Sequence, residues 1–530
     1  MKIHHIPFRD TGYFSNLICD YLDKKPRLRN LYQNYPDFKG FKNQIKLKQD
    51  SFESQKREVL VNSLTKQNEN IDISALTTKN INSLSKPNTF TITTGHQLNI
   101  FTGPLYFLYK IITTINLTKV LKKEFPSYNF VPVYWMATED HDFDEINYFN
   151  FKEKKIAWNI ESNGAVGRLK TTGFDIVFEE FTKLLGNSEN AIYLKELFKK
   201  AYLKQHNLAS ATRYLVNELF GMYGLVIIDG DDIQLKKQFA PIIKDELLHN
   251  TSFKEVSDTN KKLQENYNIQ VNPREINLFY LDKNLRERII FKKNQYIVNN
   301  TNIVFSKSEI LEEVSENPER FSPNVIMRPL YQETILPNLC YIGGGGELAY
   351  WFQLKKYFDT VNVVFPILLL RSSVLLITEK QLTKSGKLHI SLPELFLKQE
   401  QLISKKIKEI SKIKIDFSAQ KEFLQQQFNE LKELAKQTDV SFLGAVNAQE
   451  KKQLNGLDYL EKRLLKAQKR KLSAIVERIK ILQDDLFPNQ SLEERTRNFS
   501  EMYLKLGDKF IPMLLDTIQP LQLEFSVIEY

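Results

Sequence analysis

Thr91-Ile92-Thr93-Thr94-Gly95-His96-Gln97, then Phe130-Val131-Pro132-Val133-Tyr134-Trp135-Met136, and then Glu139-Asp140-His141-Asp142-Phe143-Asp144-Glu145 decide how this chain is read. Phe90 to Thr94 alternates β-branched and apolar residues as a strand does, and Gly95 is expected to end it. From Gly103-Pro104 through Tyr106, Phe107, Tyr109 and Ile112 the apolar spacing is helical, with Pro104 suited to a first turn. Phe130 to Met136 is nearly continuous in apolar residues, the mark of a strand buried on both faces. Strand, helix, strand is a βαβ unit, so the region predicts a parallel α/β sheet with its site at the carboxyl ends of the strands. Adjacent strand ends would set His96 beside Glu139, Asp140, His141 and Asp142.

Two later strands suit the same sheet: 225–228, ending in Asp229-Gly230-Asp231-Asp232, and 363–369, ending in Arg371-Ser372-Ser373. Between them, near 150–200 and 255–325, short alternating runs such as Asn277-Leu278-Phe279-Tyr280-Leu281 indicate β-containing insertions that interrupt the core. Residues 1–60 read as helices, and the Asn-, Ser- and Thr-rich stretch 62–88 as a surface connection. After Pro393, Ile403, Ile407, Ile410, Phe417, Leu424, Phe428, Leu431 and Ala435 keep a heptad spacing interrupted by Lys414 and Lys421. A turn is expected around Gly444, and a second seam runs from Leu457, Leu460 and Leu464 to Leu486, which makes an antiparallel coiled-coil hairpin. Ser491-Leu492-Glu493-Glu494 has the form of a capping box, and 521–527 alternates as a strand returning to the core.

A chain of 530 residues exceeds one hydrophobic core, and its 42% hydrophobic and 26% charged residues are those of a globular protein. The start, Met1-Lys2-Ile3-His4-His5, has no signal-peptide form and no run approaches a bilayer span, so a cytoplasmic location is expected. Cys19 and Cys340 alone exclude a disulfide framework and a cysteine-only zinc site, and no metal ligand set is recognised. A net charge of +10 points to anionic partners. Lysines spread along helical surfaces argue against a nucleic-acid groove, and a synthetase-like tRNA- or nucleic-acid-binding protein is kept as the alternative reading.

The run Gly343-Gly344-Gly345-Gly346-Glu347 before a helical segment lets backbone amides approach an anion, or else forms a tight structural turn; it matches neither the dinucleotide fingerprint nor the P-loop. The clustered acids repel one another unless a helix terminus, a cation or a basic substrate compensates. They read either as a helix cap by Asp142 or Asp144, or as Asp140 and Asp142 binding an ammonium group or Mg²⁺ while His141 or Glu139 manages protons. His96, after a strand-ending glycine, is placed to contact a phosphate or a developing oxyanion.

Thr94-Gly95-His96-Gln97, Phe101-Thr102-Gly103-Pro104-Leu105-Tyr106, the run Glu139 to Asn147, Arg328-Pro329, Gly343 to Glu347 and Tyr350-Trp351 together resemble the cysteine-adding enzymes of bacillithiol synthesis, the BshC family. The resemblance spans the chain, departs from the expected pattern at Gly345, and is most specific in the acid run. It implies a Rossmann-like parallel-sheet core similar to class I aminoacyl-tRNA synthetases, two connecting-peptide insertions, and a coiled coil used for homodimerisation. Divided accordingly, 1–150 holds the N-terminal helices and first part of the core, 151–205 the first insertion, 206–254 more core, 255–325 the second insertion, 326–390 more core, 391–510 the helical domain and 511–530 the return to the core. The implied reaction joins cysteine to glucosaminyl malate through carboxylate activation, with ATP as co-substrate and Mg²⁺ as its companion. Under it, His96, Glu139 and His141 are catalytic; Gln97, Asn99, Thr102, Gly103, Asp140, Asp142, Tyr350 and Trp351 bind substrate; and Gly343, Gly344, Gly345, Gly346, Arg371 and Ser372 bind the anion or nucleotide.

Overall fold

The computed structural model describes residues 2–530, the side chain of Val440 excepted. Its centre is a parallel sheet of β1 (Thr89–His96), β2 (Asn129–Met136), β3 (Val226–Asp229), β4 (Asn338–Gly343) and β5 (Ile367–Leu370), in the order β5-β4-β1-β2-β3. Helix α1 (Tyr106–Glu124) joins β1 to β2, so the βαβ unit expected from the sequence is present. The chain winds one way from β1 to β3 and the other way through β4 and β5. The crevice between the carboxyl ends of β1 and β4 is therefore the switch point, where such sheets bind ligands.

β1 runs past Gly95 to His96, and all its residues are buried. Its threonines are tolerated there because their hydroxyls have acceptors: Thr93 donates to Asn338 Oδ1 at 2.9 Å and Thr94 to the Ile342 carbonyl at 2.8 Å. The register sets His96 opposite Met136, so the histidine turn and the acid run leave the sheet side by side.

Elsewhere the structure corrects the sequence reading. Ile3–Ile6 is a strand, paired with Phe525–Glu529, which also pairs with Val374–Ile377; the C-terminal strand thus completes a separate three-stranded sheet rather than the core sheet. The polar stretch 62–88 holds the end of helix Ser54–Gln67 and the helix Ala75–Ser83. Its polar residues serve as caps and struts: Ser74 accepts from Thr77 N, and Asn80 donates to the Gly224 carbonyl at 2.7 Å. An antiparallel five-stranded sheet spanning Leu278 to Pro323 packs over the mouth of the crevice and supplies part of its wall.

The heptad seam is not one helix. Ile403 and Ile407 lie in helix Gln399–Ile410 and pack into the main core, and a fresh helix, Ser418–Ala435, begins after Phe417. It packs on Val440–Lys471, with Phe428, Ala435 and Val446 as the buried contact. Lys421, which interrupts the apolar spacing, reaches Asp458 at 2.6 Å and Glu461 at 2.9 Å on the facing helix. The turn lies at 436–439 and Gly444 is inside the second helix; Asp439 is the true start signal, accepting from Ser441 and Phe442 amides.

Ser491 to Glu494 forms no capping box. The helix Glu493–Thr496 has Leu492 at its cap, and the acids turn inward: Glu494 to Arg371 and Val374 N, Glu493 to Leu376 N and Arg497. Just beyond, Asn498 donates to the carbonyls of Phe101 at 2.7 Å and Gly103 at 2.6 Å. That turn holds Phe101, Thr102 and Gly103 at φ of 49°, 68° and 60°, which two of its three residues adopt only under constraint. Asn498→Ala leaves both buried carbonyls unpaired and removes a helix cap, and should destabilise the protein by about 2 to 4 kcal/mol in urea unfolding. Asn498→Asp keeps the cap without the donors and should recover only part of it.

Candidate active site

One buried ammonium closes the crevice floor. Lys110, on α1, donates to the Gly95 carbonyl at 2.8 Å and to Glu347 Oε1 at 2.7 Å, tying the end of β1 to the glycine turn after β4. Burial lowers its pKa and the Glu347 carboxylate opposes that. Glu347 in turn accepts from Gly344 N at 2.6 Å and so shapes the start of α2 (Gly345–Phe352). A Cβ at Gly346 would meet nothing within 4 Å, and Gly344, Gly345 and Gly346 all line the cleft.

His96 stands over this floor, buried, with its ring centre 5.5 Å from Tyr106 and 5.1 Å from Phe107. Its Nε2 has no hydrogen-bond partner among the described residues. Burial, reinforced by Lys110 and Arg371, pushes its pKa well below the ordinary histidine value, so the ring is neutral at physiological pH.

The acid run is neutralised from several directions. Glu139 is ion-paired with the fully buried Lys236, whose ammonium also donates to the Phe321 carbonyl at 2.6 Å, and burial pushes the Glu139 carboxyl up. Asp140 accepts from Gln97 Nε2 at 3.0 Å and from His141 N at 2.8 Å, and Arg286 lies 3.9 Å away. Burial works against it, but the hydrogen bonds from His141 and Gln97 and the Arg286 charge hold it well below the usual carboxylate range. His141 is half-exposed, and its Nδ1 takes a hydrogen bond from Arg286, which stacks 3.9 Å over Phe279. With Nδ1 accepting, the ring proton sits on Nε2. Glu145 accepts from Gln97 at 2.8 Å.

These groups line a cleft of about 700 Å³ whose remaining wall is cationic. Arg274, Arg286 and Arg288 come from the second insertion, Arg328 from the helix before β4, Arg371 from the end of β5 and Arg495 from the C-terminal part. Of these only Arg371 was marked from sequence as a site residue. Each acid of the wall, Glu139, Asp140 and Glu347, already has a protein cation, so the free charge presented to a ligand is positive. Arg371 gives Nη2 to Glu494 at 2.7 Å and Nη1 to Ser373 Oγ at 3.1 Å, and keeps a buried, unpartnered Nε beside the glycine turn.

Of the residues marked from sequence, His96, Gln97, Glu139, Asp140, His141, Gly344, Gly345, Gly346, Tyr350 and Arg371 line this cleft. The others do not. Asn99 donates to the Glu145 carbonyl, and Thr102 and Gly103 form the constrained turn held by Asn498. Asp142 is exposed at the start of helix Phe143–Ile146 and its side chain caps nothing. Trp351 is fully buried and stacks 4.4 Å on Tyr341, the Gly343 carbonyl accepts from Arg371 N, and Ser372 N donates to Thr113.

A family model described as "Bacillithiol biosynthesis BshC, N-terminal Rossmann-like domain" matches residues 1–372, and one described as "Bacillithiol biosynthesis BshC, C-terminal coiled-coil domain" matches residues 374–530. The chain belongs to the BshC family. It is 59% identical over 523 residues to a protein of Flavobacterium johnsoniae, with 99% of each chain covered. It is 54% identical over 535 residues to one of Christiangramia forsetii, covering 100% of this chain and 99% of that one. A Bacillus thuringiensis protein is 27% identical over 540 residues, with 97% of each covered. All three carry the name "Putative cysteine ligase BshC". A solved chain titled a "putative arginyl t-RNA synthetase" from Campylobacter jejuni covers 80% of this chain and 99% of its own at 10% identity, with a TM-score of 0.22, and carries no argument.

In this BshC chain the cleft belongs to both family domains. Arg371 ends the first, and its counter-ion Glu494 and the neighbouring Arg495 come from the second. Because burial disfavours the charged ring, His96 should still show neutral-imidazole ¹⁵N shifts at a pH where a free histidine is mostly protonated, with the resonance assigned by its loss in His96→Gln. The unfolded chain takes up that proton below about pH 6.5 and the folded one does not, so wild type should lose more stability than His96→Gln between pH 7 and 5.

Proposed function

We propose that this chain is a cysteine ligase that forms a carbon–nitrogen bond between L-cysteine and the amine of glucosaminyl malate, completing bacillithiol. The reading rests on family membership and the name its relatives carry, and the observation that carries it is the cleft. A net-positive wall at the switch point, with its own acids already neutralised, suits a substrate set of carboxylates and phosphates. Family membership favours this over the nucleic-acid alternative.

Amide formation from a free carboxylate is uphill in water, so the carboxylate needs activation. A cysteine carboxylate oxygen attacks the α-phosphorus of ATP and pyrophosphate leaves. The glucosamine amine then attacks the activated carbonyl, AMP leaves with the oxygen, and the amine gives up one proton. The amides of Gly345 and Gly346 at the amino end of α2 would meet the phosphate or the developing oxyanion, while the Gly344 amide is taken by Glu347. Of the three catalytic candidates, His96 alone offers an unpartnered ring nitrogen, through which it would contact the reacting groups as a neutral imidazole, whereas Glu139 is bound to Lys236 and His141 Nδ1 to Arg286. Mg²⁺ would enter with the triphosphate, whose oxygens supply ligands of the kind it prefers.

Incubation with cysteine, glucosaminyl malate and ATP should give bacillithiol and one AMP per product; product formed without ATP would overturn the activation step. His96→Ala should lower kcat on the order of 100-fold or more, while Asp142→Ala, outside the cleft, should stay within about twofold.

The proposal includes a cytoplasmic homodimer. No described helix is long and apolar enough to cross a membrane. On the hairpin, Phe423, Leu434, Tyr459 and Leu460 are 63%, 57%, 60% and 52% exposed, apolar surface that a second copy would cover. Leu434→Glu with Leu460→Glu should convert a dimer to a monomer by light scattering with unchanged circular dichroism.

A further inference from the structure

Arg328 differs from the other cations enclosed in the cleft wall. Lys110, Lys236, Arg286 and Arg371 have Glu347, Glu139, Asp140 and Glu494 as carboxylate partners, and among the described residues Arg328 has none. Its guanidinium carbon lies 5.9 Å from the ring centre of Trp135 and 5.6 Å from that of Tyr341, within cation–π range of both rings. Nη1 donates to Gln332 Oε1 at 3.1 Å; Nη2 is buried with no partner.

The orientation of this guanidinium is determined from beneath. Glu333, buried, accepts from Gln332 Nε2 at 2.9 Å, Asn338 Nδ2 at 2.6 Å and Lys48 Nζ at 3.3 Å. A carboxylate so surrounded accepts only, so the Gln332 amide must turn its nitrogen to Glu333 and its oxygen to Arg328. One edge of the guanidinium is thereby occupied and the other is left at the cleft. A desolvated cation with no carboxylate paired to it is unfavourable until an anion arrives. Glu347 and the Tyr350 hydroxyl favour its charge from nearby, but Glu347 is already paired with Lys110, so an anion bound there would be the first to pair with Arg328 directly.

We propose that Arg328 binds a carboxylate of the acceptor substrate, and that Gln332 is its positioning residue. The unpartnered Nη2 of this cleft-lining guanidinium offers the planar donor edge that suits a carboxylate. The identity of the carrier rests on the ligase reading: there, cysteine's carboxylate is the reacting group and ATP offers phosphates, which leaves the malyl carboxylates.

Calorimetry on the full-length chain tests this with glucosaminyl malate, L-malate and ATP as separate probes. Arg328→Gln should raise the Kd for glucosaminyl malate and L-malate about tenfold or more and that for ATP less than about twofold. Gln332→Met, which removes the acceptor and keeps the volume, should raise the same Kd about threefold and the KM of the acceptor with it, leaving kcat the less affected. Arg328→Lys, with the charge and without the fork, should fall between wild type and Arg328→Gln, and serves if Arg328→Gln does not fold. Unchanged malate affinity in Arg328→Gln, a loss that falls on ATP instead, or no binding of glucosaminyl malate to wild type would overturn the proposal. Carboxylate binding through Arg328 without bacillithiol formation would overturn the ligase reading and leave this one standing; turnover with an acceptor KM insensitive to Arg328 would do the reverse.

Discussion

A buried ammonium must be satisfied, and the way Lys110 is satisfied organises the centre of this protein. It stands on the helix that joins two core strands, and its partners are the carbonyl at the end of one strand and the carboxylate that shapes the glycine turn after another. Two neighbouring pieces of chain and a third, 237 positions further on, are thus held to a common point at the switch of strand order. Breaking either contact would leave a buried charge uncompensated, which is far more costly than losing the pair on a surface. The same principle extends around the cleft: Lys236 neutralises Glu139 and Arg286 lies beside Asp140, so what looks in sequence like an acidic site presents itself to ligands as a cationic one.

The sheet was legible because buried parallel strands write a near-continuous apolar run, and the register alone brings the histidine turn and the acid run out of the sheet side by side, where Gln97 rather than His96 bonds Asp140 and Glu145. The cationic wall was not, because its arginines stand on elements whose pattern says only that they alternate. In Leu285-Arg286-Glu287-Arg288 nothing marks Arg286 as facing Asp140 rather than solvent; that depends on how the second insertion folds back. Ser491 to Glu494 misled for a related reason. A capping box and a pair of acids recruited by distant backbone amides have the same local sequence, and only tertiary structure distinguishes them. In the hairpin, Gly444 was a weaker turn signal than Asp439, since a glycine in a long helix costs only about 1 kcal/mol while a capping aspartate supplies acceptors for the first amides.

The boundary between the family's two domains falls inside the architecture of the site. Glu494 holds Arg371 in place, and the backbone at Arg497 and the amide of Asn498 hold the turn that starts α1. The coiled-coil domain is therefore a structural partner of the cleft as well as the carrier of the hairpin.

The pairing of β1 with β4 also has a meaning in time. Thr91 and its hydrogen-bond partner Asn338 are 247 positions apart, and both insertions are synthesised between them. At a synthesis rate of roughly 5 to 20 residues per second, the edge of β1 that will become the crevice waits on the order of ten seconds to a minute for its neighbour. An unpaired strand edge is a template for association with other chains. The threonines of β1, whose hydroxyls in the finished protein bond to neighbouring strands, leave that waiting strand less apolar than an all-aliphatic one would be.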